Sequence, residues 1–322
     1  MQKRSAARLI RRLLQLAIAG LALVTVFGFA ARAFWLLELF SHFRVQYGLA
    51  FLVCAALAIA LRRPRLSGIA LIGAALNLSC VVPLFLGSGQ GGDVASVPSV
   101  RVMLLNVNTT MGDPAAVRRL VVTEDPDVLL LQEVSASWLQ HLHAVLVEYP
   151  YTVTQPRDDN FGIALYSKFP LSNTRVVLSP EVGVPSIRAN LTIEGQRVCL
   201  IGVHTVPPKS GDMARARNLH LQQVAGWVDS ELPTVLFGDL NVSPYSPYFG
   251  DLLRSSGLRD SMCGYGVQAS WPTMCPWLHI PLDHVLISEQ LMVQERRVGP
   301  NAGSDHFPVL FSFAWRPGVT AQ

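Results

Sequence analysis

Three nearly charge-free runs limit this chain more than any other feature: "LLQLAIAGLALVTVFGFAA" (Leu13 to Ala31), "VQYGLAFLVCAALAIAL" (Val45 to Leu61) and "LSGIALIGAALNLSCVVPLF" (Leu66 to Phe85). Each approaches the roughly 20 residues that a helix needs to cross a bilayer. Half of the 322 residues are hydrophobic and only 15% are charged, and the apolar excess is concentrated here. A basic segment of Lys3, Arg4, Arg8, Arg11 and Arg12 makes a cleaved signal peptide the alternative for the first run. A buried helical hairpin is the alternative for the other two. Two apolar runs following so closely, without a polar face, favour a membrane anchor over residues 1–86, with spans at about 13–31, 45–61 and 66–86.

Positive charge sets the expected orientation. Five basic residues precede the first run and "RRPR" (Arg62 to Arg65) fills the turn between the second and third, so both belong on the cytoplasmic side. The first loop carries Arg32 and Arg44 against Glu38, with Phe34, Trp35 and Phe40 suited to an interface. Three spans then place the N-terminus in the cytoplasm and everything after Phe85 in the periplasm or outside the cell, on a multi-pass protein of the cell membrane.

The charge balance changes along the chain. Residues 1–65 hold ten of the 26 Lys and Arg and one of the 22 Asp and Glu, leaving 16 basic against 21 acidic residues beyond them. A net acidic exported part counts against a nucleic-acid binder, which usually shows a basic footprint. Cys54 and Cys80 lie in the apolar runs, and Cys199 lies in an apolar strand pattern where a small buried hydrophobe is expected. Cys263 and Cys275 flank "GYGVQASWPTM" on the oxidising side, where a disulfide is plausible. Zinc is disfavoured, because no cysteine pair or paired histidines stand at ligand spacing.

Residues 87–99, "GSGQGGDVASVPS", read as a flexible linker. One domain spans 100–316, followed by a tail at 317–322. In it "VRVMLLNVN", "PDVLLLQEV", "GIALYSKF", "TRVVLS", "IRANLTI", "RVCLIGVHT", "PTVLFGD", "LDHVLIS" and "HFPVLFSF" read as strands. Helices are expected at "PAAVRRLVV", Asp212 to Val228 and Pro247 to Ser255. Hairpin-like strands mixed with helices predict an α/β domain of mixed sheets covered by helices.

Polar residues gather where these strands end: Asn106 and Asn108, Glu133, His204, Asp239 and Asn241, Asp283, and Asp305 with His306. Singly, each has a plain reading. "GDLN" is a good turn, Glu133 could cap a helix beginning at Ser135, and His284 points away from its neighbour Asp283. Their recurrence at strand ends is the signal, since such groups can converge on one rim of a sheet. The chemistry they fit is phosphate-ester hydrolysis. Glu133 is a hard oxygen ligand for Mg²⁺, and a histidine held by an aspartate can activate water.

At "LLNVN", "LLLQEV", "NFGIALYSKFPL", "GVHTVPP", "GDLNVSP", "LDHVLIS" and "GSDHFPVL" the chain resembles the endonuclease/exonuclease/phosphatase (DNase I-like) superfamily, over about Val100 to Ala314. The resemblance implies a four-layer α/β sandwich, here preceded by three transmembrane helices, and a single metal-dependent site. It implies Glu133 as the principal ligand of Mg²⁺, with Mn²⁺ as the alternative ion, and Asn106 and Asp305 near it. It also implies that Asp239 and Asn241 orient water and phosphate, that His204 contacts phosphate or leaving group, and that Asp283 pairs with His306. Asn108 departs from the acid that several nucleases of the family carry there. Long basic insertions are absent; Arg157, Lys168, Arg188 and Lys209 could line a local anion site, but solvated surface charge is the reading favoured for them.

The anchored arrangement resembles a bacterial membrane subgroup that includes teicoplanin-resistance-type proteins. The expected function is hydrolysis of phosphate esters or pyrophosphates on lipids, with the bilayer as partner and no protein partner evident. An exported nuclease is the alternative, and a catalytically silent scaffold a lesser one.

Overall fold

The computed structural model describes residues 2–87, 99–228 and 231–317. Most of the linker read at 87–99 and of the tail read at 317–322 therefore lies outside the described residues. The chain forms two compact units, Met1–Pro83 with Pro244–Pro247, and Leu84–Ser243 with Tyr248–Gln322.

The first unit is helical: α1 (Gln2–Phe29), the short α2 (Trp35–Leu39), α3 (Arg44–Ala60) and α4 (Pro64–Ser79). Leu14 and Ile18 of α1 pack with Phe51, Cys54 and Ala58 of α3 and with Ala70 and Ala74 of α4. The outward residues are equally apolar, among them Leu16, Leu23, Val26, Val53, Ile59 and Ile72. Apolar residues on every side are what a helix in lipid requires. Ala6–Phe29 and Trp35–Ala60 are long and apolar enough to cross a membrane. The third expected span is shorter: α4 has 16 residues, or about 24 Å at 1.5 Å per residue. Arg44, expected in a loop, is instead buried at the start of α3, where its guanidinium donates to Asn77 Oδ1 at 3.2 Å.

The second unit contains two six-stranded sheets. Its elements are β1 (Val100–Asn106), α5 (Pro114–Glu124), β2 (Val128–Gln132), α6 (Ala136–Leu146), β3 (Tyr151–Gln155), β4 (Ile163–Ser167), β5 (Leu171–Leu178), β6 (Pro185–Ile193), β7 (Gln196–Val203), α7 (Gly211–Ala225), β8 (Thr234–Asp239), α8 (Pro247–Ser256), β9 (Arg259–Asp260), β10 (Asp283–Ile287), β11 (Leu291–Val298) and β12 (Val309–Trp315). The first sheet runs β11-β12-β1-β2-β4-β3 and the second β5-β6-β7-β8-β10-β9.

Strand alternation builds the layers. Leu104, Leu130 and Phe311 of the first sheet meet Ala189, Leu200 and Phe237 of the second in the central core. The alternate residues Met103, Leu105, Leu129 and Leu131 face Val117 and Leu120 of α5 and Trp138 and Leu142 of α6. In the second sheet Ile201 and Leu236 face Leu221 of α7 and Phe249 of α8. Helix, sheet, sheet and helix form the four layers of a two-sheet α/β fold. Asp113, Ser135 and Ser210 cap α5, α6 and α7 by accepting from backbone N–H groups.

Three strands escape the sequence reading: β3, β11 and the two-residue β9, all at sheet edges. The outer strands β3 and β11 pair on one side only, and their patterns ("YTVTQ", "LMVQERRV") are correspondingly polar. The disulfide read for Cys263 and Cys275 does not form; both are free thiols. Cys263 sits in a turn bonded to Asp260, while Cys275 precedes a separate 3-10 turn, Pro276–Leu278.

One consequence of burial is testable. His220 on α7 is fully buried, with Nε2 2.9 Å from Ser186 Oγ and its ring 6.5 Å from that of Trp227. Burial pushes its pKa down to about 4. An unfolded histidine titrates near 6.5, so the unfolded chain binds the extra proton and stability falls as pH drops from about 6.5 towards 4. Urea denaturation in detergent, followed by tryptophan emission, should show a midpoint that falls over this window. His220→Gln should remove part of that fall.

Candidate active site

Strand pairing brings the polar strand ends to one rim. β1 and β2 run parallel with Asn106 opposite Gln132. On the other sheet β10 runs antiparallel to β8 with Asp283 opposite Asp239. Gln132 crosses between the sheets: its Nε2 donates to Val203 O at 2.7 Å, and its Oε1 accepts from Asp239 N at 3.0 Å. Gly238 makes that approach possible. It adopts φ +150°, and a Cβ there would overlap the Val203 carbonyl oxygen.

Asp239 is central and almost wholly buried. Its Oδ2 lies 3.4 Å from Asn106 Nδ2, 3.6 Å from His306 Nε2 and 3.6 Å from His204 Nε2. Its Oδ1 accepts from Asn241 N at 2.9 Å, and Asn241 Nδ2 donates to Thr205 O. Asp283 Oδ2 is 2.8 Å from His306 Nδ1, which leaves Nε2 facing Asp239. Asn106 Nδ2 also donates to Glu133 Oε1 at 2.9 Å. Asp305 joins from the side: its Oδ1 accepts from Asn108 Nδ2 and its Oδ2 from Trp271 Nε1. All eight expected site residues thus lie in one connected network.

Glu133 does not cap the helix after it, since Ser135 does so itself. Glu133, Asn108 and Asn241 instead adopt positive φ of 59°, 54° and 47°. Such backbone costs on the order of 1–3 kcal/mol for a non-glycine residue and turns side chains out of the regular strand direction.

Electrostatics follow from burial. Desolvation raises Asp239 to about 7, helped by Asp283 and Glu133 and opposed by His306. Burial alone would lower His306, but Asp283 and then Asp239 outweigh it and lift the imidazole to about 10. Burial would likewise raise Asp283, yet His306 and the Ser270 hydroxyl hold it below the ordinary carboxylate value. His204 is pushed down to about 3 by burial and by His306, so it stays neutral. Burial raises Glu133, against the bond from Asn106.

Asp239, Asp283 and His306 offer ligand atoms within 4.8 Å of one another, but Asp283 and His306 already bond each other. The hard oxygen better fitted to a divalent ion is Glu133 Oε2, which is buried and has no hydrogen-bond partner. Asn106 turns its amide nitrogen to Glu133, so its own oxygen would reach an ion there only after the amide turns over. Of the basic residues that could line an anion site, Arg157 bonds Asp159, Lys168 bonds Asp125, and Arg188 Nε donates to Cys199 Sγ.

Several supporting residues were invisible in sequence. Gln132 stands beside Glu133 but looks like any strand-end amide. Ser270 Oγ accepts from Leu282 N and Asp283 N, and nothing in "QASWP" marks it. Ser304 Oγ donates to Asn106 O, tying β1 to the segment that carries His306.

The model of the Endonuclease/Exonuclease/phosphatase family matches residues 103–306. A search of curated proteins returned no match. Among solved structures, an endonuclease/exonuclease/phosphatase from Beutenbergia cavernae aligns with TM-score 0.56 at 21% identity, covering 67% of this chain and 72% of its own. TDP2 from D. rerio, complexed with single-strand DNA product, aligns at 0.58 and 17%, covering 67% and 98%. Sphingomyelinase C from Streptomyces griseocarneus aligns at 0.52 and 21%, covering 67% and 99%. At these identities the likeness is one of fold.

Gln132→Met should leave Val203 O and Asp239 N without partners and lower the unfolding free energy by about 2–4 kcal/mol, read by urea denaturation in detergent.

Proposed function

Because this chain belongs to the endonuclease/exonuclease/phosphatase family, we propose that it is a membrane-anchored, divalent-metal-dependent hydrolase of phosphate esters. Its substrate is a lipid-linked phosphate or pyrophosphate met outside the cytoplasm. The observation that carries the hydrolytic reading is the buried, unpartnered Glu133 Oε2 beside an unbroken carboxylate and imidazole network. Family members hydrolyse phosphoesters, and a net acidic domain whose Arg157 and Lys168 are already paired favours lipid over nucleic acid. The all-round apolar surface of α1 and α3 supports the anchor, with α4 as a third span.

In the proposed reaction a water oxygen forms a bond to phosphorus as the bond to the leaving oxygen breaks. Glu133, with Asn106 after its amide turns, would hold Mg²⁺ or Mn²⁺, which supplies neutralising charge for the phosphoryl oxygens. Asp283 keeps His306 oriented and protonated, so His306 presents a positive Nε2–H to the developing charge. Asp239, poised about 7, takes the proton that the water gives up. Asn241 steadies Asp239 through its backbone N–H, and neutral His204 faces the same carboxylate as a contact for phosphate or the leaving group. The leaving oxygen recovers a proton from His306 or solvent.

Full-length protein in detergent should release product from a polyprenyl pyrophosphate or a phospholipid, and not from single-stranded DNA, only when Mg²⁺ or Mn²⁺ is present. His306→Ala should lower kcat by about 10²–10⁴, and Glu133→Gln should raise the metal concentration needed for half-maximal rate. Turnover of DNA alone would replace the lipid reading with a tethered nuclease. Unchanged kinetics in both variants would overturn the site.

A further inference from the structure

In the catalytic unit, the two most exposed large apolar side chains among the described residues are Trp277 (84%) and Met274 (81%), and Leu278 beside them is half exposed. They share one loop, Pro272–His279. The loop is held in shape: Trp271 and Ile280 pair through both backbone bonds at its base, and Leu278 N donates to Cys275 O in its tip. The loop backbone is thus bonded at its base and tip while Trp277 and Met274 stand in solvent.

This loop is fastened directly to the site. Thr273 N donates to Asp305 O at 2.9 Å, Thr273 Oγ1 to Ser304 O at 2.8 Å, and Trp271 Nε1 to Asp305 Oδ2 at 3.1 Å. The other oxygen of Asp305 accepts from Asn108, whose own Oδ1 accepts from Met111 N at 3.0 Å. Met111 is 61% exposed. A second apolar side chain is therefore linked, through Asn108, to the same carboxylate.

Charge identifies the occupant. No Asp, Glu, Lys or Arg occurs from Ser261 to Leu282, nor from Asn106 to Gly112. An anionic polymer would need basic residues here. A tryptophan with thioethers and leucine around it suits the boundary between headgroups and acyl chains. The same uncharged segment is gripped by the strap that follows the apolar helices: Leu84 O accepts from Gly264 N and Gly266 N, each at 2.9 Å. Gly266 has φ +74°, and a Cβ there would lie 2.8 Å from the Phe85 ring.

We propose that loop Pro272–His279, with Met111, is a bilayer-contacting lip that seats Trp277 in the interfacial zone and delivers a lipid phosphoester to the site. The inference rests on the membrane-anchored reading above. It adds the surface that touches lipid.

The test uses full-length protein reconstituted in phosphatidylcholine and phosphatidylglycerol vesicles, with and without bromine on the phosphatidylcholine acyl chains. The emission contributed by Trp277 is the difference between the wild type and Trp277→Phe, which keeps an aromatic ring and so the fold. Brominated lipid should quench that difference at least about twofold if the ring lies in the interface. A difference spectrum unaffected by bromine overturns the lip. A blue-shifted but unquenched signal, with cross-linked dimers at high protein density, assigns the patch to a second copy of the chain and overturns it equally. Quenching without lipid turnover would sink the lipid-substrate reading and leave the lip standing. Turnover without quenching would do the reverse.

Discussion

One amide side chain holds the two halves of the catalytic unit in working register. Gln132 belongs to the first sheet, yet it donates to Val203 O and accepts from Asp239 N in the second. Two sheets packed only through Leu104, Leu130, Leu200 and Phe237 could slide, because apolar contact is not directional. The paired bonds from Gln132 are directional and buried, and leaving either backbone group unpaired is costly. Glycine at 238 is the steric condition for them, as any side chain would strike Val203.

That register is what allows so much ionisable chemistry to be buried at one rim. Asp239, Asp283, His306 and His204 would each resist burial alone. They are tolerable together because Asp283 and Asp239 flank His306, and Ser270 with the Asn241 backbone N–H supports the carboxylates. The same arrangement separates the tasks. His306 is held charged, His204 is held neutral and Asp239 titrates close to neutrality, so the cluster has one place left for a proton. Glu133, bonded through only one oxygen, stands where an ion can complete it.

Much of this was legible in the chain. The apolar runs, the strands of the central layers and the polar residues at their ends all follow from local pattern, since a buried strand must read as a continuous apolar run and can carry polarity only where it ends. All eight expected site residues meet in one network for that reason. The edge strands β3 and β11 were not legible, because a strand paired on one side has no need of apolar residues on both faces. Nor was the state of Cys263 and Cys275, which depends on how two separately bonded turns are held.

The chain alone therefore announced an apolar front, a mixed α/β domain and a set of polar and ionisable residues at strand ends. Tertiary structure alone assigned Gln132 and Ser270 their supporting roles, turned Glu133 out of its strand and left Trp277 in solvent on the loop that Trp271 and Thr273 tie to Asp305. The physical reason is separation in sequence. Gln132 and Asp239 stand 107 positions apart, and Asn106 and Asp239 stand 133 apart. Local pattern reports which groups a strand end carries, whereas the partner that orients each group arrives from another strand and is specified only when both sheets have packed.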